Sequence, residues 1–359
     1  MPPGAWRALA VYGVSRLVLL AVTAAAPHVR TPRPSLGELV TRWDAVYYLG
    51  IVDRGYPRGD ALAPEHAFFP LYPLGVEAID RVVPGGAVTA GVVLSLVAGA
   101  VATVLLWHFA AALTDRATAD RTVLVFCFFP GTVVFGWPYA DALLLALMCG
   151  SLLALAHGRW VAGAAVGALA TATRPSGLVL VAACALAAWE HTRGTAGRRL
   201  AAAAAAGGIC ASGFVAFLAW LWNHTGEPRQ WMRVEREVFG EGTPWKRLPT
   251  TVADTFRDGA QFNRVLVLAC AVLALVLLAA GLTARQPPWA KAVTVLALYL
   301  ALTANIASAS PRLQLAAVPA FVALGARLRR DPLVVWCASS GAFAALLVFV
   351  YGLTTYVAP

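Results

Sequence analysis

Two unbroken apolar runs limit what this chain can be. "VTAGVVLSLVAGAVATVLLWHFAAAL" fills 88–113, and "VLVLACAVLALVLLAAGL" fills 265–282. A helix rises ~1.5 Å per residue, so about 20 apolar residues span the ~30 Å hydrocarbon core of a bilayer. Inside that core each backbone amide needs a partner within the structure, which leaves helices or closed barrels. Similar runs recur along the 359 residues, of which 60% are hydrophobic and 13% charged. Soluble domains carry about 25% charged residues. The expected class is therefore an all-α, polytopic membrane protein.

Eleven spans are expected, at 6–27, 87–113, 122–137, 140–157, 160–172, 176–190, 200–222, 263–284, 290–308, 312–326 and 333–354. The first resembles a cleaved signal at "TAAAP", but Arg16 interrupts its apolar core and its length suffices to span, so it reads as a retained helix. Arg16 itself is expected to meet either a carboxylate or a lipid phosphate, because charges inside a membrane face the bundle interior. The segment 68–83 carries Glu77, Asp80 and Arg81 and reads as an interfacial helix.

The formal net charge is +10, with lysine only at 246 and 291. In a membrane protein such charge marks cytoplasmic loops, so a nucleic-acid partner is not inferred. The short loops "TDRATADR", "HGR", "HTRGTAGRR", "ARQPPWAK" and "RLRRD" all fall on one side, which is then cytoplasmic. Two long loops, 28–86 and 223–262, fall on the other. The whole chain, 1–359, reads as a single transmembrane domain. The six cysteines lie in apolar runs without paired spacing and read as small buried residues.

That topology gathers five polar stretches on the outer face: "RWD", "EHAFFPLYP", "WPYAD", "ATRPSG" and "SASPRLQ". Within 36–51, Leu36, Leu39, Val40, Trp43, Val46, Tyr47, Gly50 and Ile51 follow helical spacing. An amphipathic surface helix is expected there, with Asp44 at the border of its apolar stripe. Asp44, Glu65, His66 and Asp141 are candidate polar groups, and Arg174 and Arg312 sit beside prolines at helix mouths. An arginine so placed can clamp a phosphate bidentately; the plainer alternative is a side chain snorkelling to water. The histidines lack HxxxH spacing, and the chain has neither a P-loop nor a DxD motif, so no metal or other cofactor is called for. "GAAVG" (163–167) reads as a close-packing GxxxG pattern.

"RWDAVYYLGIVDRGY", "EHAFFPLYP", "FCFFPGTVVFGWPYADALLLAL", "ATATRPSGLVLV" and "ASPRLQLAAVPAFVALG" occur in an order that resembles the GPI second-mannose transferases (the PIG-V type) and their bacterial relatives. The resemblance runs from Arg16 to the terminal "YVAP". It implies membership of the GT-C superfamily: a bundle of about eleven transmembrane helices with interfacial helices in the first outer loop. It also implies a sugar donor carried on a polyprenyl phosphate. By that resemblance Asp44 is the catalytic acidic residue of the "WD" motif and Glu65 a second catalytic carboxylate. Arg42, Trp43, His66, Tyr139, Asp141, Arg174, Arg312 and Gln314 are then the substrate-binding set. Asp141 stands where the family more often has Glu, and Tyr356-Val357-Ala358 resembles a Trp-Val-Ala ending.

The implied reaction is inverting transfer of mannose from polyprenyl-phosphate-mannose to a hydroxyl of a lipid-linked or cell-envelope glycan, at the outer face of the cell membrane and among membrane lipids. The Ala/Arg/Val-rich, compact chain looks bacterial, where the eukaryotic GPI acceptor is not expected. Transfer of another sugar, such as arabinose or glucose, remains open. So does a lipid-linked sugar flippase, although that class expects polar groups at the midplane and repeated halves.

Overall fold

The computed structural model describes residues 3–26, 35–240, 253, 262–303 and 310–353. Among them the ordered elements are helices: α1 (Pro3–Ala25), α2 (Leu36–Val40), α3 (Asp44–Arg54), α4 (Leu71–Asp80), α5 (Gly86–Leu113), α6 (Arg116–Cys127), α7 (Asp141–Ala156) and α8 (Trp160–Thr171). There follow α9 (Val179–His191), α10 (Ala196–Thr225), α11 (Gln230–Glu237), α12 (Phe262–Thr283), α13 (Pro288–Thr303), α14 (Ser310–Gln314), α15 (Val318–Arg327) and α16 (Asp331–Leu353). Three 3-10 turns, Pro64–Ala67, Pro130–Gly136 and Pro175–Leu178, each begin at a proline. Proline suits the first helical position because its missing N–H would be unpaired there anyway.

Among the described residues, five helices are long and apolar enough to cross a membrane: Gly4–Ala25, Gly86–Leu113, Ala196–Thr225, Val265–Thr283 and Asp331–Val350. Five shorter apolar helices and one bent pair occupy the places of the other six expected spans. The bent pair corrects the expected span 122–137. There α6 and the turn Pro130–Gly136 meet at 75°. The proline at 130 removes one donor and ends the helical ladder before it. The expected span 312–326 is likewise two pieces, with Arg312 and Gln314 on the five-residue α14 and the apolar α15 beginning at Val318. Segment 68–83 holds α4, ten residues or roughly 15 Å, packed on α5 and α3.

Successive helices reverse direction, which sorts the loops. At one end Arg121 Nε donates to the Gly325 carbonyl at 2.8 Å, and Arg327 Nη2 donates to Thr283 Oγ1 at 2.5 Å. At that end Arg7 Nη1 also lies 3.4 Å from Asp120 Oδ2. At the other end the Leu71 amide donates to the Ala172 carbonyl at 3.2 Å, joining "FFPLYP" to "TRP". There, too, Tyr72 donates to the Gly91 carbonyl at 3.0 Å, and Ser95 donates to the Tyr139 carbonyl at 3.1 Å. Among the described residues, the Arg-rich short loops and the polar stretches thus occupy opposite ends of the bundle.

The core between the ends packs aromatic and small residues together. Phe126, Phe129 and Phe321 meet edge to face at 5.0–5.3 Å. Close approach elsewhere depends on glycine. A Cβ on Gly163 would stand 2.6 Å from Leu155 Cδ2, and one on Gly167 would stand 2.6 Å from Cys210 Sγ. The "GAAVG" pattern therefore seats α8 against α7 and α10, as the small-residue rule expects.

Arg16 meets neither a carboxylate nor a phosphate site. It is buried and donates to the carbonyls of Thr132 and Cys127, to Thr132 Oγ1 at 3.0 Å and to Ser15 Oγ at 3.3 Å. The Cys127 carbonyl is among the acceptors released where α6 ends, and Thr132 lies in the turn that follows the break. Arg16 supplies the donors that the broken helix lacks, and so fixes the 75° bend. The Tyr12 and Phe135 rings flank its guanidinium at 5.3 and 5.5 Å.

Candidate functional site

The expected helix over 36–51 is broken. Residues 36–40 form α2, started by a capping box in which the Glu38 amide donates to Ser35 Oγ at 3.1 Å and the Ser35 amide to Glu38 Oε2 at 2.7 Å. Thr41, Arg42 and Trp43 turn the chain, and α3 starts at Asp44. Trp43 carries the break with φ 58° and ψ −127°. That backbone conformation is strained for any side chain and worst for a bulky one. The buried face of α3 is Ala45, Tyr48, Leu49, Gly50 and Ile51, while Val46 and Leu36 are exposed. The expected stripe was therefore out of phase, because a periodicity reading carries one helix across a break that resets it. Asp44 sits in the first turn, where the helix dipole favours a carboxylate.

Asp141 holds the matching place on α7, also in the first turn. Between the two aspartates lie two arginines. Arg174 Nη1 is 3.0 Å from Asp141 Oδ2 and 3.5 Å from Asp44 Oδ2. Arg312 Nη1 is 2.9 Å from Asp44 Oδ2, and its Nε is 3.6 Å from Asp141 Oδ1. Four charges from four separate elements thus close into a ring of alternating sign. Their side chains are 22% (Asp44), 5% (Asp141), 14% (Arg174) and 8% (Arg312) exposed. Burial works against the Arg174 charge, but Asp141 and Asp44 outweigh it and hold the guanidinium above its ordinary pKa.

The ring is not saturated. Both Nη1 contacts of Arg174 are hydrogen bonds, and among the described residues its Nε and Nη2 make none. Arg312 lies within ion-pair distance of both carboxylates, yet its buried Nε and Nη1 have no aligned acceptor. Buried donors are normally paired. Arg312 also lies over the Tyr139 ring at 5.4 Å, and Tyr139 donates to the Arg42 carbonyl at 3.0 Å, binding "WPYAD" to the break before α3. Gly131 brings the fourth element in. A Cβ there would strike the Pro311 carbonyl and come within 2.9 Å of the Arg312 amide nitrogen.

Asp44, Tyr47 and Gly50 follow each other at i, i+3 and i+6 along one face of α3. Glu65 faces them: a Cβ on Gly50 would lie 3.8 Å from its Oε1. Burial raises the Tyr47 pKa, and the carboxylates of Asp44 and Glu65 raise it further. Tyr47 stacks on Phe68 at 4.8 Å and meets the edge of Phe239 at 6.0 Å. Tyr48, fully buried beside the four charges, has its hydroxyl raised mainly by burial. Neither tyrosine was expected from the sequence; the only signal was the "YY" that follows "RWDAV" on the helix.

Two expected residues lie apart from the ring. His66 is buried with both ring nitrogens engaged: Nε2 pairs with the Pro57 carbonyl at 2.8 Å and Nδ1 with Gln230 Nε2 at 3.0 Å. Gln230 also donates to the Ala61 carbonyl at 2.6 Å, so the pair fastens the first loop to α11. Gln314 is buried and donates to the Cys270 carbonyl at 2.8 Å, facing α12. Tyr356, Val357 and Ala358 lie outside the described residues.

The helical fold is shared with a solved structure. The structure of ArnT from Cupriavidus metallidurans bound to undecaprenyl phosphate matches with a TM-score of 0.50 and 17% identity, over 88% of this chain and 60% of that one. The chain is thus a membrane protein with a GT-C type fold, and it spans about 60% of that neighbour's length. A family model described as mannosyltransferase (PIG-V) matches residues 24–192, the stretch that holds Asp44, Glu65, Asp141 and Arg174. Arg312 lies beyond the matched stretch. No curated protein matches the chain.

Proposed function

We propose that the chain is an inverting mannosyltransferase using polyprenyl-phosphate-mannose as donor and a hydroxyl of a lipid-linked or cell-envelope glycan as acceptor. The observation that carries this reading is the four-charge ring, whose two arginines retain unused donors at a helix mouth. The match to mannosyltransferases over 24–192 and the neighbour's undecaprenyl phosphate support it. The ring is a phosphate site of the right chemistry, because guanidinium groups bind phosphate oxygens through planar, paired N–H donors.

In this reading the lipid phosphate lies against Arg312 and Arg174, which stabilise the charge that grows on it as the glycosidic bond breaks. Asp44 takes the proton of the attacking hydroxyl, which approaches the anomeric carbon from the face opposite the phosphate. The bond to the phosphate breaks as the new glycosidic bond forms, so configuration inverts and polyprenyl phosphate leaves. Glu65 and Tyr47 face the same space and can accept hydrogen bonds from sugar hydroxyls. Arg42, Trp43 and Tyr139 form the wall that holds Asp44 in place, with His66 and Gln314 supporting the loops behind it.

The same reading makes 1–359 one multi-pass domain. The Arg-rich end is cytoplasmic by the positive-inside rule, and the ring and the long loops 28–86 and 223–262 belong to the outer face. The test is Asp44→Asn in purified protein supplied with polyprenyl-phosphate-mannose and membrane glycolipid acceptors. Transfer is expected to fall on the order of 10²–10⁴-fold. Turnover near wild type would remove Asp44 from the base role.

A further inference from the structure

We infer that the two aspartates of the ring stand in opposite relation to the donor: Asp141 anchors the arginine pair, whereas Asp44 occupies the phosphate's place on Arg312 and is released by its arrival. This rests on the donor reading above and adds a switch to it.

Charge arithmetic carries the first step. Two carboxylates and two guanidinium groups sum to zero. A phosphodiester or phosphomonoester entering the ring brings at least one further negative charge into a buried site, where unbalanced charge is costly. If one carboxylate withdraws, the remaining aspartate and the phosphate balance the two arginines again. Like charges forced together would otherwise oppose binding.

Geometry decides which aspartate withdraws. Asp141 is 5% exposed and takes the better-formed hydrogen bond from Arg174, at 3.0 Å. The residues just before it are fixed, since Ser95 Oγ donates to the Tyr139 carbonyl at 3.1 Å and bonds Tyr72 Oη at 3.0 Å. Asp44 is 22% exposed and its hydrogen bond from Arg174 is the longer one, at 3.5 Å. Its contact with Arg312 is close, 2.9 Å, but the N–H is not aligned with the carboxylate. Asp44 also follows Trp43, whose φ of 58° stores strain that a small turn of the backbone can relieve.

The consequence is an order of events. Before the donor binds, the Asp44 carboxylate is turned to Arg312 and Arg174 and away from an incoming hydroxyl. Once the phosphate has replaced it, Asp44 is free on the same face of α3 as Tyr47. The base becomes available only when there is a sugar to transfer, which suppresses unproductive deprotonation.

Purified full-length protein in detergent or nanodiscs is titrated with undecaprenyl phosphate, with inorganic phosphate and with undecaprenol. Asp44→Asn, which removes the competing charge, is expected to tighten undecaprenyl phosphate binding at least about tenfold. Asp141→Asn is expected to weaken it, with recovery in Asp141→Glu. A gain of affinity cannot arise from general damage to the fold, and Asp44→Ala repeats the test if the Asn variant does not fold. Wild-type binding with equal or weaker binding by both folded Asp44 variants overturns the exchange and leaves the donor reading standing. No binding of undecaprenyl phosphate by wild type or any variant overturns the donor reading as well. Equal affinity of the Asp44→Asn protein for inorganic and lipid phosphate would make free phosphate the ligand, and the exchange with a lipid donor would fall.

Discussion

Two regions of this molecule bury arginine, and they do it differently. At the bend beside α6, all three nitrogens of Arg16 have acceptors: two backbone carbonyls and two hydroxyls, with no carboxylate. At the end of the bundle that holds the polar stretches, Arg174 and Arg312 face two carboxylates, and yet Arg312 Nε and Nη1 lack an aligned acceptor and, among the described residues, Arg174 hydrogen-bonds through Nη1 alone. An arginine whose nitrogens are all matched to carbonyl and hydroxyl acceptors of the fold completes that fold. One balanced in charge but not in hydrogen bonds has capacity left for a ligand. Burial alone does not separate the two, since both are nearly fully enclosed. The count of satisfied donors does.

That contrast can be broken by experiment, and the largest effect is expected at the open site. Arg312→Ala should lower donor-dependent transfer on the order of 10²–10³-fold, because it removes a donor to the developing phosphate charge. Steady-state kinetics with a polyprenyl-phosphate sugar reads this. Transfer within a few-fold of wild type would place the clamp elsewhere.

Arg16→Met should do the reverse. It takes the side-chain donor from the Thr132 carbonyl and leaves the Cys127 carbonyl with Thr132 Oγ1 alone, at about 1–3 kcal/mol for a buried group left unpaired. Thermal unfolding in detergent should show a clear loss of stability, while the activity of the remaining folded protein stays close to wild type. A variant as stable as wild type would mean that the bend does not need its donors.

A smaller effect tests how the ring is assembled. Gly131→Ala puts a methyl group against the Pro311 carbonyl, and overpacking of this kind costs about 1–3 kcal/mol. It should shift Arg312 and reduce donor affinity more than it reduces stability. The smallest effect sits at Trp43, where Trp43→Gly and Trp43→Ala lose the same indole packing. Only glycine is at ease at φ 58°, so the Gly variant should be the more stable, by about 1 kcal/mol. Equal stability would show that the break relaxes without cost.

Parts of the site were legible before any coordinates. Asp44, Asp141, Arg174 and Arg312 are each polar residues interrupting apolar sequence, and the alternation of helices puts their stretches at one end. Their pairing was not legible. The sequence leaves Arg174 open between clamping a phosphate and snorkelling to water, and nothing in its neighbours shows that it lies between carboxylates 130 and 33 positions away. Glu65 and His66 are adjacent in sequence and both fall in the expected site, but a 3-10 turn points His66 to Gln230 and Glu65 to α3. The break at Trp43 was hidden for another reason. Helical periodicity weighs side-chain polarity and carries no information about a strained backbone angle.

By itself the sequence determined the membrane class, the approximate places of the apolar segments, and the list of polar residues that have no reason to be there unless they act. Hydrophobicity and the length of a helical turn suffice for that, because they are local and additive. Only the tertiary structure decided which charges neutralise one another, where α6 bends, and that Asp44 begins a helix instead of lying along one. Those outcomes depend on which acceptors and donors meet across the bundle, and that is a property of the packed chain.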